Sequence, residues 1–105
     1  MNSEETNSWI FLAAGMGSNS PITFKSILGV ADGINHAVPT HKELQNAFKW
    51  LLNHKLISKE GKKYRITDKG ISLLENAGRK SNLIFGQWDY IKEQFHILSN
   101  ENDNN

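Results

Sequence analysis

THKELQNAFKWLLNHKLISKEGKKYRIT, residues 40–67, is the stretch from which the fold is read. Thr40 and Glu43 stand at the spacing of a capping box, in which the threonine hydroxyl accepts from the Glu43 amide and the carboxylate accepts from the Thr40 amide. A cap of this kind contributes about 1 kcal/mol, and it predicts a helix running to about His54. At the roughly 100° per residue of an α-helix, Leu44, Phe48, Leu51 and Leu52 share one side, which is the expected core face. The opposite side collects Lys42, Gln45, Asn46, Lys49 and Asn53, with no acid among them. Glu43 and Trp50 fall on the flank between, so Trp50 is expected to pack half-buried rather than to serve as a base-stacking platform.

After Leu56-Ile57, the Glu60-Gly61 pair signals a turn, and Tyr64 and Ile66 alternate with Lys63 and Arg65. This predicts a short hairpin with Tyr64 and Ile66 facing inward, Lys63 and Arg65 facing outward, and Lys59 and Lys62 flanking the tip.

Working outward, Ser20-Pro21 reads as a cap followed by proline at the first helical position of the preceding helix. Phe24, Ile27, Leu28, Ala31 and Ile34 recur along it at helical spacing, and Asn35-His-Ala-Val-Pro39 stops it, because a residue before proline avoids the α region. Trp9 to Ala14 reads as a first helix across the back of the domain, ended by Gly15-Met-Gly-Ser-Asn19. On the other side, Thr67 is expected to cap a fourth helix carrying Ile71, Leu74 and Ala77, closed by Gly78. A fifth helix, about 82–98 behind a Ser81 cap, carries Ile84, Trp88, Ile91, Phe95 and Leu98 at 4-3-4-3 spacing. Two uses of that stripe stay open: packing on the first helix of the same chain, or the seam of a homodimer. Residues 1–8 and 99–105 lack apolar periodicity and are expected to be frayed or disordered.

The 105 residues suit one hydrophobic core, so a single domain is expected, its core spanning about 9–79. The net charge of +1 conceals a polarised chain. Residues 40–69 hold seven Lys and one Arg against Glu43, Glu60 and Asp68, a balance of +5, while the remainder carries −4. A localised positive face is what a polyanion binder needs.

Leu51-Leu-Asn-His-Lys-Leu-Ile57, Gly61-Lys-Lys-Tyr-Arg-Ile-Thr67 and then Gly70 resemble the passage from recognition helix through wing to following helix in MarR-like and PadR-like bacterial transcription regulators. Ala31-Asp-Gly-Ile-Asn-His36 before Pro39-Thr40 looks like a further hallmark of small bacterial winged-helix proteins. The resemblance covers about half of the chain. It implies an α+β, mostly helical winged helix: a three-helix core with a short β-hairpin wing over residues 20–79, plus C-terminal helices. It further implies a transcription regulator whose third helix enters the major groove while the wing follows the backbone. Lys42, Gln45, Asn46 and Lys49 would then face bases. Lys59, Lys62, Lys63 and Arg65 would anchor phosphates, and Thr40 and His41 would approach a phosphate from the first helical turn. The implied partner is double-stranded DNA. The alternative is a winged helix that docks protein without DNA.

Other chemistry finds little footing. Without cysteine there is no thiol nucleophile or thiolate metal site, and His36, His41, His54 and His96 lack a metal-ligand spacing. Gly15-Met-Gly-Ser lacks the later Gly-Lys-Ser/Thr of a phosphate-cradling loop. Asp32 and Glu75 are isolated acids. No enzyme, cofactor, metal or small-molecule ligand is therefore expected. No stretch approaches the ~18 apolar residues that cross a bilayer, and a cytoplasmic protein is expected.

Overall fold

Asn2 begins the first helix, although residues 1–8 read as a frayed end. Its side chain accepts from the Glu5 amide at 2.8 Å, and the Glu5 carboxylate accepts from the Asn2 amide at 3.4 Å, a second capping box. The computed structural model describes residues 1–17 and 22–103, and within them α1 runs Ser3–Met16. Thr6 to Ala14 are all buried. Thr6 and Ser8 tolerate this because their hydroxyls bond back to carbonyls one turn earlier, Thr6 to Asn2 at 3.0 Å and Ser8 to Glu4 at 2.6 Å. No buried side-chain nitrogen or oxygen among the described residues lacks a partner.

The second helix, α2 (Phe24–Asn35), starts later than proline placement suggested. Thr23 is its cap, exchanging bonds with Ser26 at 3.0 and 3.1 Å, whereas Ser20 and Pro21 lie outside the described residues. It stops where expected, with His36 in the left-handed region donating its amide to the Asp32 carbonyl at 2.7 Å. Ile27, Ala31 and Ile34 are buried, and Phe24 and Leu28 pack partly buried beside them. The third helix, α3, spans His41–Asn53.

The hairpin follows as β1 (Ile57–Glu60) and β2 (Lys63–Ile66), antiparallel, with Ile57 opposite Ile66 and Lys59 opposite Tyr64. Gly61 turns its tip at φ 63, a left-handed conformation that suits glycine. Ile22 adds a bridge to the outer side of β2, exchanging backbone bonds with Tyr64 at 2.8 and 2.9 Å. Thr67 then caps α4 (Asp68–Lys80), accepting from the Gly70 amide at 3.2 Å.

Two expectations about α4 need correction. Gly78 lies exposed inside the helix, which ends two residues later at a Ser81 cap. Ile71 is 44% exposed rather than core. The buried line passes through Gly70 and Ala77, and Ile71 sits about 100° around the helix from Gly70.

The last helix, α5, runs Ile84–Asp103, so the expected disordered tail is helical through residue 103. Its apolar stripe is used within the chain. Ile91 and Phe95 are 0% exposed, the Phe95 ring lies 5.5 Å from Phe11, and the Trp88 indole donates to Ser8 Oγ at 2.9 Å. Trp88 and Leu98 are half-buried, and Ile84 remains on the surface. Of the five residues weighed for a dimer seam, Ile91 and Phe95 therefore have no area to offer a second copy. Five helices and a two-stranded antiparallel hairpin make a mostly helical α+β fold in which α1 packs against α2, α3 and α5.

Gly70 is where α4 meets the hairpin. A methyl group there would strike the Leu56 carbonyl oxygen and come within 2.7 Å of Ile66 Cγ2. The Leu56 carbonyl cannot retreat freely, because it accepts from the Thr67 amide at 3.1 Å. Alanine improves helix propensity by about 1 kcal/mol, but overpacking against backbone costs about 1–3 kcal/mol or more. Gly70→Ala should therefore lower stability by about 2 kcal/mol in urea unfolding; an unchanged or raised midpoint would refute this account of the junction.

Candidate nucleic-acid interface

The start of α3 is set by its capping box: Thr40 Oγ1 accepts from the Glu43 amide at 3.1 Å, and Glu43 Oε1 accepts from the Thr40 amide at 2.8 Å. This bond ties the first-turn carboxylate back onto the cap. Leu44, Ala47, Phe48 and Leu51 face the core, and Leu52 lies half-buried at its edge. Lys42, Gln45, Asn46, Lys49 and Asn53 are all exposed along the opposite side. Trp50 is half-buried, its ring 4.5 Å from Phe95 and 4.1 Å from His54, so it is engaged within the chain.

In the hairpin, Lys59, Lys62, Lys63 and Arg65 are exposed. Arg65 has a partner: its Nε lies 3.1 Å from Glu60 Oε1 across the strands, with both side chains more than half exposed. Such a pair is worth about 0–1 kcal/mol in water, so it orients the guanidinium more than it stabilises the hairpin. Among the described residues, Lys42, Lys49, Lys59, Lys62 and Lys63 form no ion pair. Thr40 and His41 are also exposed, Thr40 with its hydroxyl engaged in the cap.

An open groove of about 890 Å³ runs beside α3, lined by Phe24, Gln45, Phe48, Lys49, Leu52 and Tyr64 among others. Phe24 and Tyr64 were not expected at the surface of the site. Both are half-buried, with parallel rings 6.3 Å apart and Phe48 edge-on to each, at 4.8 and 4.6 Å. The alternation that turned Tyr64 inward was visible in sequence, but its approach to α2 depends on the Ile22 bridge, which a single β-branched residue between Pro21 and Thr23 does not announce.

His96 lies 2.8 Å from Glu4 and 3.2 Å from Asn100, and no group of three or more His, Cys, Asp or Glu side chains comes together among the described residues. No helix among them is long and apolar enough to cross a membrane. No protein family model, curated protein or solved structure matches this chain.

His54 closes the C-terminal end of α3 and is 8% exposed. Burial pushes its imidazole below its ordinary value of 6.5, and the nearby Lys69 ammonium, which donates to the His54 carbonyl at 3.0 Å, pushes in the same direction. The unfolded chain therefore takes up a proton at higher pH than the folded one. The stability contributed by neutral His54 is present above pH 6.5 and is lost as pH falls below it. Thermal melts should show a drop in Tm from pH 7.5 to about 5.5 that shrinks in His54→Gln; equal drops in both proteins would count against this cause.

Proposed function

We propose that this chain is a winged-helix protein that binds double-stranded DNA, with α3 in the major groove and the β1–β2 hairpin along the neighbouring phosphates. The observation that carries the reading is the exposed side of α3, where two lysines and three carboxamides stand without an acid, next to a hairpin bearing three further lysines that form no ion pair among the described residues. The major groove admits a single α-helix. Carboxamides offer donor and acceptor together, as adenine requires, and ammonium groups suit guanine edges or phosphates. The order of α2, α3, hairpin and α4 supports the winged-helix assignment, and the resemblance to MarR-like and PadR-like regulators supports a role in transcription.

The aromatic lining of the groove favours a second reading, a protein-docking face, since interface cores are rich in aromatic residues. Salt separates the two. DNA affinity should fall steeply with salt, the log–log slope being near −0.9 per phosphate neutralised. Lys62→Ala with Lys63→Ala should flatten that slope by about 2 and weaken every sequence alike, whereas Gln45→Ala or Asn46→Ala should relax base preference and leave the slope unchanged. Absence of any retardation of duplex DNA at low salt would replace this function with the docking one.

A further inference from the structure

We infer that His41 is a positioning residue for Gln45: its imidazole takes one hydrogen of the Gln45 amide and holds the remaining donor–acceptor edge outward, in the arrangement that selects adenine. This role rests on the DNA-binding reading and deepens it by naming what fixes the Gln45 edge. His41 Nε2 and Gln45 Nε2 lie 2.9 Å apart, one helical turn from each other on the exposed side of α3. An amide nitrogen donates and does not accept. With the amide in this orientation the imidazole Nε2 is the acceptor, a role open to the tautomer that carries its proton on Nδ1.

A primary amide has two hydrogens. With the one that points away from Oε1 given to His41, the other lies beside Oε1, and the two form a paired edge. Adenine presents an N7 acceptor and an N6 donor in the major groove, which match it, whereas guanine presents two acceptors, N7 and O6, and sets an oxygen against Oε1. A carboxamide turned the other way round would accept from the ring and offer both hydrogens outward, favouring guanine. The proton on His41 thus decides which purine Gln45 reads.

The imidazole is itself held in place. Phe24 of α2 meets it nearly at right angles, ring centroids 5.7 Å apart. Phe24 is in turn fixed by Phe48 of α3 and Tyr64 of β2. The nearest acid in the turn, Glu43, is committed to the Thr40 amide and does not compete for the ring. Holding a glutamine in one orientation before DNA arrives removes part of the ordering cost that a free side chain meets on binding.

The test uses the full chain and duplexes selected from a random pool. The base pair whose preference disappears in Gln45→Ala identifies the position Gln45 reads. Wild type should favour adenine over guanine there by roughly tenfold or more. His41→Phe keeps a ring against Phe24 but lacks the acceptor, and should reduce that ratio to about threefold or less. His41→Gln, which returns an acceptor one turn away, should recover much of it. Nitrogen-15 shifts of His41 in the free wild-type protein should show Nδ1 protonated and Nε2 bare, a readout that needs no variant to fold. Guanine at the Gln45 position, a protonated Nε2, or an unaltered ratio in His41→Phe would overturn this role while DNA binding stands; wild-type protein that retains no duplex at low salt overturns both.

Discussion

Helix α1 is buried on consecutive positions from Thr6 to Ala14, and a helix buried on every side needs neighbours on every side. That requirement organises the molecule. Each side chain of the size of Trp9, Ile10, Phe11 or Leu12 contributes about 1.5–3 kcal/mol when taken out of water, so α2, α3 and α5 are drawn around α1. Two indoles set the orientation of the wrapping. Trp9 donates to the Ala31 carbonyl of α2 at 2.9 Å, and Trp88 of α5 donates to Ser8 at 2.9 Å and the Glu5 carbonyl at 3.1 Å. The two ends of the chain are thereby joined through the same buried rod.

The candidate interface is a consequence of this arrangement. Because α3 spends Leu44, Ala47, Phe48 and Leu51 on the core, its carboxamides and lysines are left facing water. Because α5 covers α1 with Ile91 and Phe95, these two positions of its apolar stripe are spent inside the chain, while Ile84 stays on the surface. The acids of α1 and α5 lie with that packing: Glu4 meets His96, and Asp89 meets Lys92 at 3.5 Å. None of the lysines of α3 or the hairpin lines the cleft where Glu4, Glu5, Asp89 and Glu93 lie.

Rigid contacts also connect the hairpin to α3. Tyr64 is held to Ile22 by two backbone bonds and to Phe24 and Phe48 by ring contacts, so the cationic strand and the α3 surface share one aromatic support. Gly70 lets α4 press on the same junction from behind, through Leu56 and Ile66. A hairpin of four residues per strand would be marginal alone; here it is braced along one edge by Ile22 and on its inward face through Tyr64 and Ile66.

The chain's own sequence determined the features that depend on neighbours within a turn or two. The Thr40–Glu43 cap, the core and polar sides of α3, the Gly61 turn and the alternation of Tyr64 and Ile66 with Lys63 and Arg65 were all legible, because spacing alone decides them. The Asn2–Glu5 cap is equally local but is masked in the sequence, since a polar run without apolar period reads as a loose end until Thr6 and Ser8 are seen bonding back to the preceding turn. Only the tertiary structure decided what the α5 stripe touches, where Ile71 falls, that Ile22 extends the sheet, that Arg65 meets Glu60 and that Phe24 steadies His41. Each of these is a contact outside the local pattern, set by how neighbouring elements pack or by which of several rotamers a side chain adopts, and spacing along the chain carries no record of that choice.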